Sequence, residues 1–385
     1  MTRNTPPPNQ DEEDNAGLLA LAASGLVVGA LTGLVGSAFH LALDGARQLR
    51  LVLLAWTHAY PDVGWLAPVL LAAIFAYVAR WLVGRFAPQA SGSGVQEVEA
   101  VIRGEAAPMR GVVLPVKFVG GVLALGSGMA LGQEGPTVQM GATIGHLWSQ
   151  LFRLRAGEGR ALLAAGAGAG LAAAFNAPLA GAIFVFEELL RRFELRVAIA
   201  TLSACSAGLV VMRMLIGDRL GFSVPPVVVS LFPGYFFFLL LGAVIGVLGV
   251  LYSRMVVAGL DAADRARHLR PEVQAAIVGA IVGFVAWVAD DAIGSGEHQV
   301  QAVFDGGHTF ALIGIVFLVR LVLGPLCYAP GLPGGLFAPL LVIGSFAGVL
   351  LGKAMETLVP GFVPPLPVIA AVGMGRCSRR SCVRL

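Results

Sequence analysis

Residues 118–152 read FVGGVLALGSGMALGQEGPTVQMGATIGHLWSQLF, and Glu134 is the one formally charged side chain among them. Two apolar runs meet at the turn Gly132-Gln133-Glu134-Gly135-Pro136. A carboxylate at membrane depth is expensive unless it is protonated, hydrated or paired. Removal from water favours the neutral carboxyl, which suits a group that exchanges protons near neutral pH. Pro136 fits the first turn of a helix, where a missing N–H does no harm. The flanking glycines let backbone N–H groups face a cavity at the positive end of a helix dipole, which makes an anion site. An interfacial loop carboxylate is the competing reading, and this stretch alone leaves both open.

The rest of the chain sets that turn in a bilayer. Of 385 residues, 57% are hydrophobic and 13% charged, where a soluble domain has about 25% charged; mean hydropathy is +0.82. So little charge cannot cover a water-soluble body of this length, which excludes a cytosolic enzyme, a disordered scaffold and a nucleic-acid binder. The net charge of +3 is too small to imply an acidic partner. A spanning helix takes about 20 residues, so the composition predicts an all-α polytopic membrane protein. The 51 glycines are nearly twice the usual ~7%, and small residues let membrane helices approach closely or unwind. Cys205, Cys327, Cys377 and Cys382 form neither a disulfide framework nor a zinc pattern, so no metal or other cofactor is expected.

Apolar segments run over 17–43, 64–84, 112–131, 136–152, 161–175, 177–190, 197–217, 230–260, 273–289, 309–328, 335–352 and 366–375. Many are shorter than a full span and end at Gly or Pro, as discontinuous transporter helices do. Arginines gather near 80–85, 153–160, 191–196 and 265–270. The positive-inside rule places all four groups in the cytoplasm, so some segments must be re-entrant or paired. Residues 1–16 are proline-rich and acidic and are expected to be a disordered cytoplasmic tail. An internal repeat is present. Gly92-Ser93-Gly94 with Val98, Ala100 and Val101 matches Gly294-Ser295-Gly296 with Val300, Ala302 and Val303 at an offset of 202, and Pro136, Gly141, Gly145 and Leu147 match Pro339, Gly344, Gly348 and Leu350 at 203. Two homologous halves follow, 17–217 and 218–375, with a functional site expected at their interface.

Three further turns carry chemistry. Ser91-Gly92-Ser93-Gly94 offers a hydroxyl donor and open N–H groups, as a halide requires; a flexible Gly/Ser turn is its plain alternative. Gly334-Gly335-Leu336-Phe337-Ala338-Pro339 lies in a stretch with no charge between Arg320 and Lys353, and an ordinary helix break is its alternative. Glu187-Glu188, after Asn176-Ala177-Pro178-Leu179-Ala180-Gly181 and before Arg191-Arg192, is either a solvated ion-pair group or an inner proton port. His146, His298 and His308 stand singly and receive no role.

In this order and spacing the three Gly-rich turns resemble the chloride channel (CLC) family of chloride channels and proton/chloride antiporters. Phe175–Gly181 followed by Glu187-Glu188 is similar to that family's bacterial antiporters, and the likeness extends from about Gly17 to Gly375. The resemblance implies two inverted-topology halves with discontinuous and re-entrant helices, a homodimer in the bilayer of a bacterial inner (plasma) membrane, and one anion pathway per subunit. It implies chloride binding by Ser93 and Gly94 and by the backbone at Leu336 and Phe337. Gly92, Gly132, Gly135, Pro136, Gly335 and Pro339 would be the motif glycines and prolines that shape the turns. Glu134 would be the gating glutamate that occupies an anion site and swings out on protonation, and Glu188 the internal proton-transfer glutamate. Proton-coupled chloride antiport is therefore expected, with chloride and protons as the substrate ions. A passive channel of the same fold or an inactive truncated product is the alternative.

Departures from the family pattern are informative. Gln133 stands where a basic residue is usual, which weakens the field at the outer mouth. The family continues beyond Gly373-Met374-Gly375 with helices that carry a tyrosine donor to the anion. Residues 376–385 instead read as an aberrant basic tail. With suitable synonymous codons, a one-base shift there restores an apolar continuation, which reads as a frameshift product; a basic membrane-surface tail is the alternative.

Overall fold

The computed structural model describes residues 10–218, 231–266, 268–304, 309–359 and 363–381. The described residues form fourteen α-helices and no strand: α1 (Gln10–Thr57), α2 (Leu66–Phe86), α3 (Val95–Arg103), α4 (Val113–Gly126), α5 (Glu134–Leu151), α6 (Ala156–Phe175), α7 (Pro178–Phe184), α8 (Leu195–Ile216), α9 (Leu231–Arg265), α10 (Pro271–Val288), α11 (Glu297–Phe304), α12 (Phe310–Tyr328), α13 (Phe337–Leu358) and α14 (Leu366–Ser381). Seven of these, α1, α2, α8, α9, α10, α12 and α13, are long and apolar enough to cross a membrane. Each apolar segment expected from the sequence is helical. The short, polar α3 and α11 carry too few apolar residues to have been seen that way.

Both ends differ from expectation. α1 begins at Gln10, so residues 10–16 are helical rather than part of a disordered tail. α14 runs on to Ser381, beyond the break expected at 375. Residues 1–9 and 382–385 lie outside the described residues, as does His308.

The chain packs as two compact units interleaved in sequence. The first comprises Met1–His40, Val95–Leu114 and Thr137–Arg219. Here Gly25, Gly29 and Gly33, one per turn along α1, face Ala200, Ala204 and Gly208 of α8. A methyl group at Gly25 would stand 2.7 Å from the Ala200 carbonyl oxygen, and methyls at Gly29 and Gly33 would collide with the carbonyls opposite. Lipid supplies no hydrophobic drive between helices, so such close backbone packing is what holds them. α6 ends at Asn176 in the left-handed region (φ 52°), and Pro178 starts α7. A π-helical turn, Val185–Leu190, follows and carries Glu187 and Glu188.

The second unit comprises Leu41–Gly94, Pro115–Pro136 and Leu220–Leu385. α2 and α10 pack directly, with Gly279 against the Ala72 carbonyl (2.5 Å to an added methyl) and Gly283 against that of Pro68. Leu70, Ile74, Trp81, Ile277 and Phe284 on the same helices are exposed, an outer surface suited to lipid. The repeat is visible in backbone detail. Pro88–Ala90 and Asp290–Ala292 are both 3-10 turns, preceded by Ala87 (φ −150°, ψ 80°) and Ala289 (φ −151°, ψ 77°). Gly92 and Gly94 (φ 61° and 83°) answer Gly294 and Gly296 (75° and 93°), a region costly for any residue with a Cβ.

Candidate functional site

The three Gly-rich turns meet within the second unit. Gly132 and Gly335 exchange two backbone hydrogen bonds, 2.7 Å from the Gly132 N–H to the Gly335 carbonyl and 2.8 Å in return. Gly334 donates to the Gly92 carbonyl at 3.1 Å. The Ser93 backbone lies on Gly135, where an added methyl would stand 2.6 Å from the Ser93 carbonyl oxygen and would collide with the hydroxyl. The sequence-derived residues Gly92, Ser93, Gly94, Gly132, Glu134, Gly135, Pro136, Gly335, Leu336, Phe337 and Pro339 therefore share one locality. Glycine is required at these contacts for close approach.

Glu134 begins α5 and is 2% exposed. Its carboxylate is turned toward the backbone N–H of Glu134 itself and that of Ala338 in the first turn of α13. A methyl on Gly335 would stand 3.4 Å from its Oε2, and one on Gly132 would collide with that oxygen. Leu336 and Phe337 head α13, where first-turn N–H groups have no intrahelical partner. The carboxylate thus sits at a helix N-terminus, a natural position for an anion.

Two buried cations were missed. Lys117, fully buried in α4, donates to the carbonyls of Ala90 (3.1 Å) and Gly92 (2.7 Å). Arg320, 2% exposed in α12, donates to those of Ile293 (2.6 Å) and Gly294 (3.2 Å). Neither lies in a polar loop; each is a lone cation inside an apolar run, the intramembrane signal that marked Glu134. Lys117 thus ties the start of α4 to the Ser93 loop through carbonyls instead of carboxylates. Arg80 also braces this region, donating to the Pro330 carbonyl at 2.7 Å. The Tyr328 hydroxyl lies 3.0 Å from where a Gly92 methyl would be.

A family model described as "Voltage gated chloride channel" matches residues 74–378. The chain belongs to the chloride channel (CLC) family. It is 36% identical over 364 residues to the H(+)/Cl(-) exchange transporter ClcA of Vibrio parahaemolyticus, covering 91% of this chain and 76% of that protein. The ClcA of Citrobacter koseri is likewise 36% identical, over 93% of this chain and 77% of that protein. The crystal structure of a slow cyanobacterial Cl-/H+ antiporter superposes with a TM-score of 0.87 at 34% identity, covering 92% of this chain and 84% of that one.

Within this CLC chain, Glu188 belongs to the first unit, in the π-turn at Val185–Leu190. It is partly buried and its neighbour Glu187 is exposed. The arginines expected to neutralise them pair elsewhere, Arg191 with Glu99 (3.6 Å) and Arg192 with Glu194 (2.6 Å). A π-turn shifts the side-chain register of a helix and is frequent at functional sites. Among the described residues no group of three or more His, Cys, Asp or Glu side chains is arranged to hold a metal ion.

Proposed function

We propose that this protein is a bacterial inner-membrane transporter that exchanges chloride for protons and works as a homodimer. One observation carries the reading: the buried Glu134 carboxylate lies against the Ala338 N–H at the head of α13. A carboxylate there competes with a free anion for the same donors. Protonation removes its charge, releases it from the helix end and admits the anion, so each proton taken up is linked to anion movement. Ser93 supplies a hydroxyl donor beside the glycine turns, and the backbone at Leu336 and Phe337 supplies N–H groups. Glu188 is the second proton-transfer carboxylate. No covalent step is needed, so transport, not enzymatic conversion, accounts for all of these groups. The ClcA relatives named above support the same reading by their names.

Reconstitution into liposomes tests it. An outward chloride gradient should drive protons inward against their own gradient, without ATP. Chloride flux with no uphill proton movement would make the protein a passive channel, and chemical crosslinking that recovers only monomer would remove the dimer.

A further inference from the structure

Glu297 stands near the proposed gate and has no part in the mechanism above. It opens α11 directly after Gly296. Its loop is fastened to the gate region at two points. Gly294 donates to the Gly128 carbonyl at 2.8 Å, six residues before Glu134. Gly296 packs so closely on Val342 and Arg320 that no side chain fits between them. Val342 lies about one helical turn, ~5.4 Å, beyond Ala338, whose N–H faces the Glu134 carboxylate. The loop that leads into Glu297 and the helix start that carries Glu134 thus meet near one end of α13. The exposure of the two carboxylates differs. Glu134 is 2% exposed, whereas Glu297 is half-buried and its exposed neighbour His298 is hydrogen-bonded to Arg47.

The repeat argues against a purely structural role. At the offset of 202 the counterpart of Glu297 is Val95, yet both loops adopt the same backbone. The fold of this loop does not demand a carboxylate.

We propose that Glu297 is a proton-relay residue on the solvent side of Glu134, receiving protons from water and passing them to the gate. The proposal rests on the reading of Glu134 as the gate. In the step, the O–H bond of the Glu297 acid breaks and an O–H bond forms on Glu134, the proton passing through intervening water. Glu297 is left as a carboxylate that solvent protonates again, and nothing is oxidised or reduced. Two neighbouring carboxylates disfavour the doubly charged state, so the pair is suited to holding one proton in either of two places. The cations bearing on this pair are Arg320 beside Gly296, Arg50 beside Gly128 and Gly294, and Arg47 at His298. Arg50 is itself paired with Asp290 at 3.4 Å.

The test uses the full chain in liposomes. Glu297→Gln should slow chloride-driven proton uptake by about tenfold or more, the scale of a lost acid–base group. Glu297→Asp should restore it, and Glu297→His, which can also carry a proton, should restore part of it. In a Glu134→Ala background, adding Glu297→Gln should change chloride flux no further, because the relay has lost its acceptor. An unchanged proton rate in Glu297→Gln, or an equal loss of chloride flux in the Glu134→Ala background, would overturn the relay. Proton coupling retained by Glu134→Ala alone would instead overturn the gate, so the two failures are distinguishable. If Glu297→Gln does not fold, the Asp and His variants decide, since loss of proton uptake in both also contradicts the proposal.

Discussion

Lys117 and Arg320 perform the same task in the two copies of the repeat. Each is buried and reaches from the second helix after a Gly-Ser-Gly loop to two carbonyls at or just before that loop. Their positions differ by 203, the offset of the repeat itself. A buried side chain that donates to two carbonyls fixes the loop.

Lys117→Met should therefore lower the midpoint of thermal unfolding, since each buried acceptor left unsatisfied costs about 1–3 kcal/mol. It should also weaken chloride binding by about tenfold, ~1.4 kcal/mol, because the Ser93 loop loses its anchor at Ala90 and Gly92. Lys117→Arg should keep most of both, as the guanidinium of Arg320 serves the equivalent loop. Calorimetric titration and a melting curve on the detergent-solubilised protein check both.

Gly132→Ala should disable the site while leaving the helices in place. The added methyl meets the Glu134 carboxylate and stands 3.0 Å from the Ala338 methyl, so the carboxylate must leave the head of α13. Chloride turnover in liposomes should change by about tenfold or more, the scale set by a misplaced reacting group, with unchanged helical circular dichroism.

How much of this was legible in the sequence divides along physical lines. Glu134, Ser93 and the glycine turns announced themselves because a charge or a break inside an apolar run has few bland explanations. Lys117 and Arg320 carried the same signal inside their apolar runs, but no Gly-rich turn surrounds either, and only the carbonyls they meet show what they hold. The pairing of Arg191 with Glu99 instead of Glu187 or Glu188 joins residues 92 positions apart, which local spacing cannot reveal. Glu297 was invisible for a related reason. It sits among polar neighbours, Ser295 and His298, and its proximity to Glu134 arises only when the Gly294 and Gly296 contacts bring its loop to α13.

Glu188→Gln should separate the two substrate ions. Its side chain has no ion-pair partner among the described residues, so removing its charge should leave the fold intact. Uphill proton movement should fall to background while chloride flux continues; simultaneous pH-electrode and chloride-electrode recordings on the same vesicles check it.

Ser93→Pro should alter anion choice rather than proton coupling. It removes the hydroxyl donor at the loop that packs on Gly135, a donor that a compact halide needs more than a charge-delocalised oxyanion does. Nitrate should compete more strongly with chloride in a flux assay than it does with the serine protein.

The most direct test of the central claim is the paired proton and chloride flux of Glu134→Ala in liposomes. With the carboxylate gone from the head of α13, chloride should cross freely and no chloride gradient should drive protons uphill. Retained proton-coupled exchange in that variant would contradict the assignment of Glu134 as the gate that links the two ions.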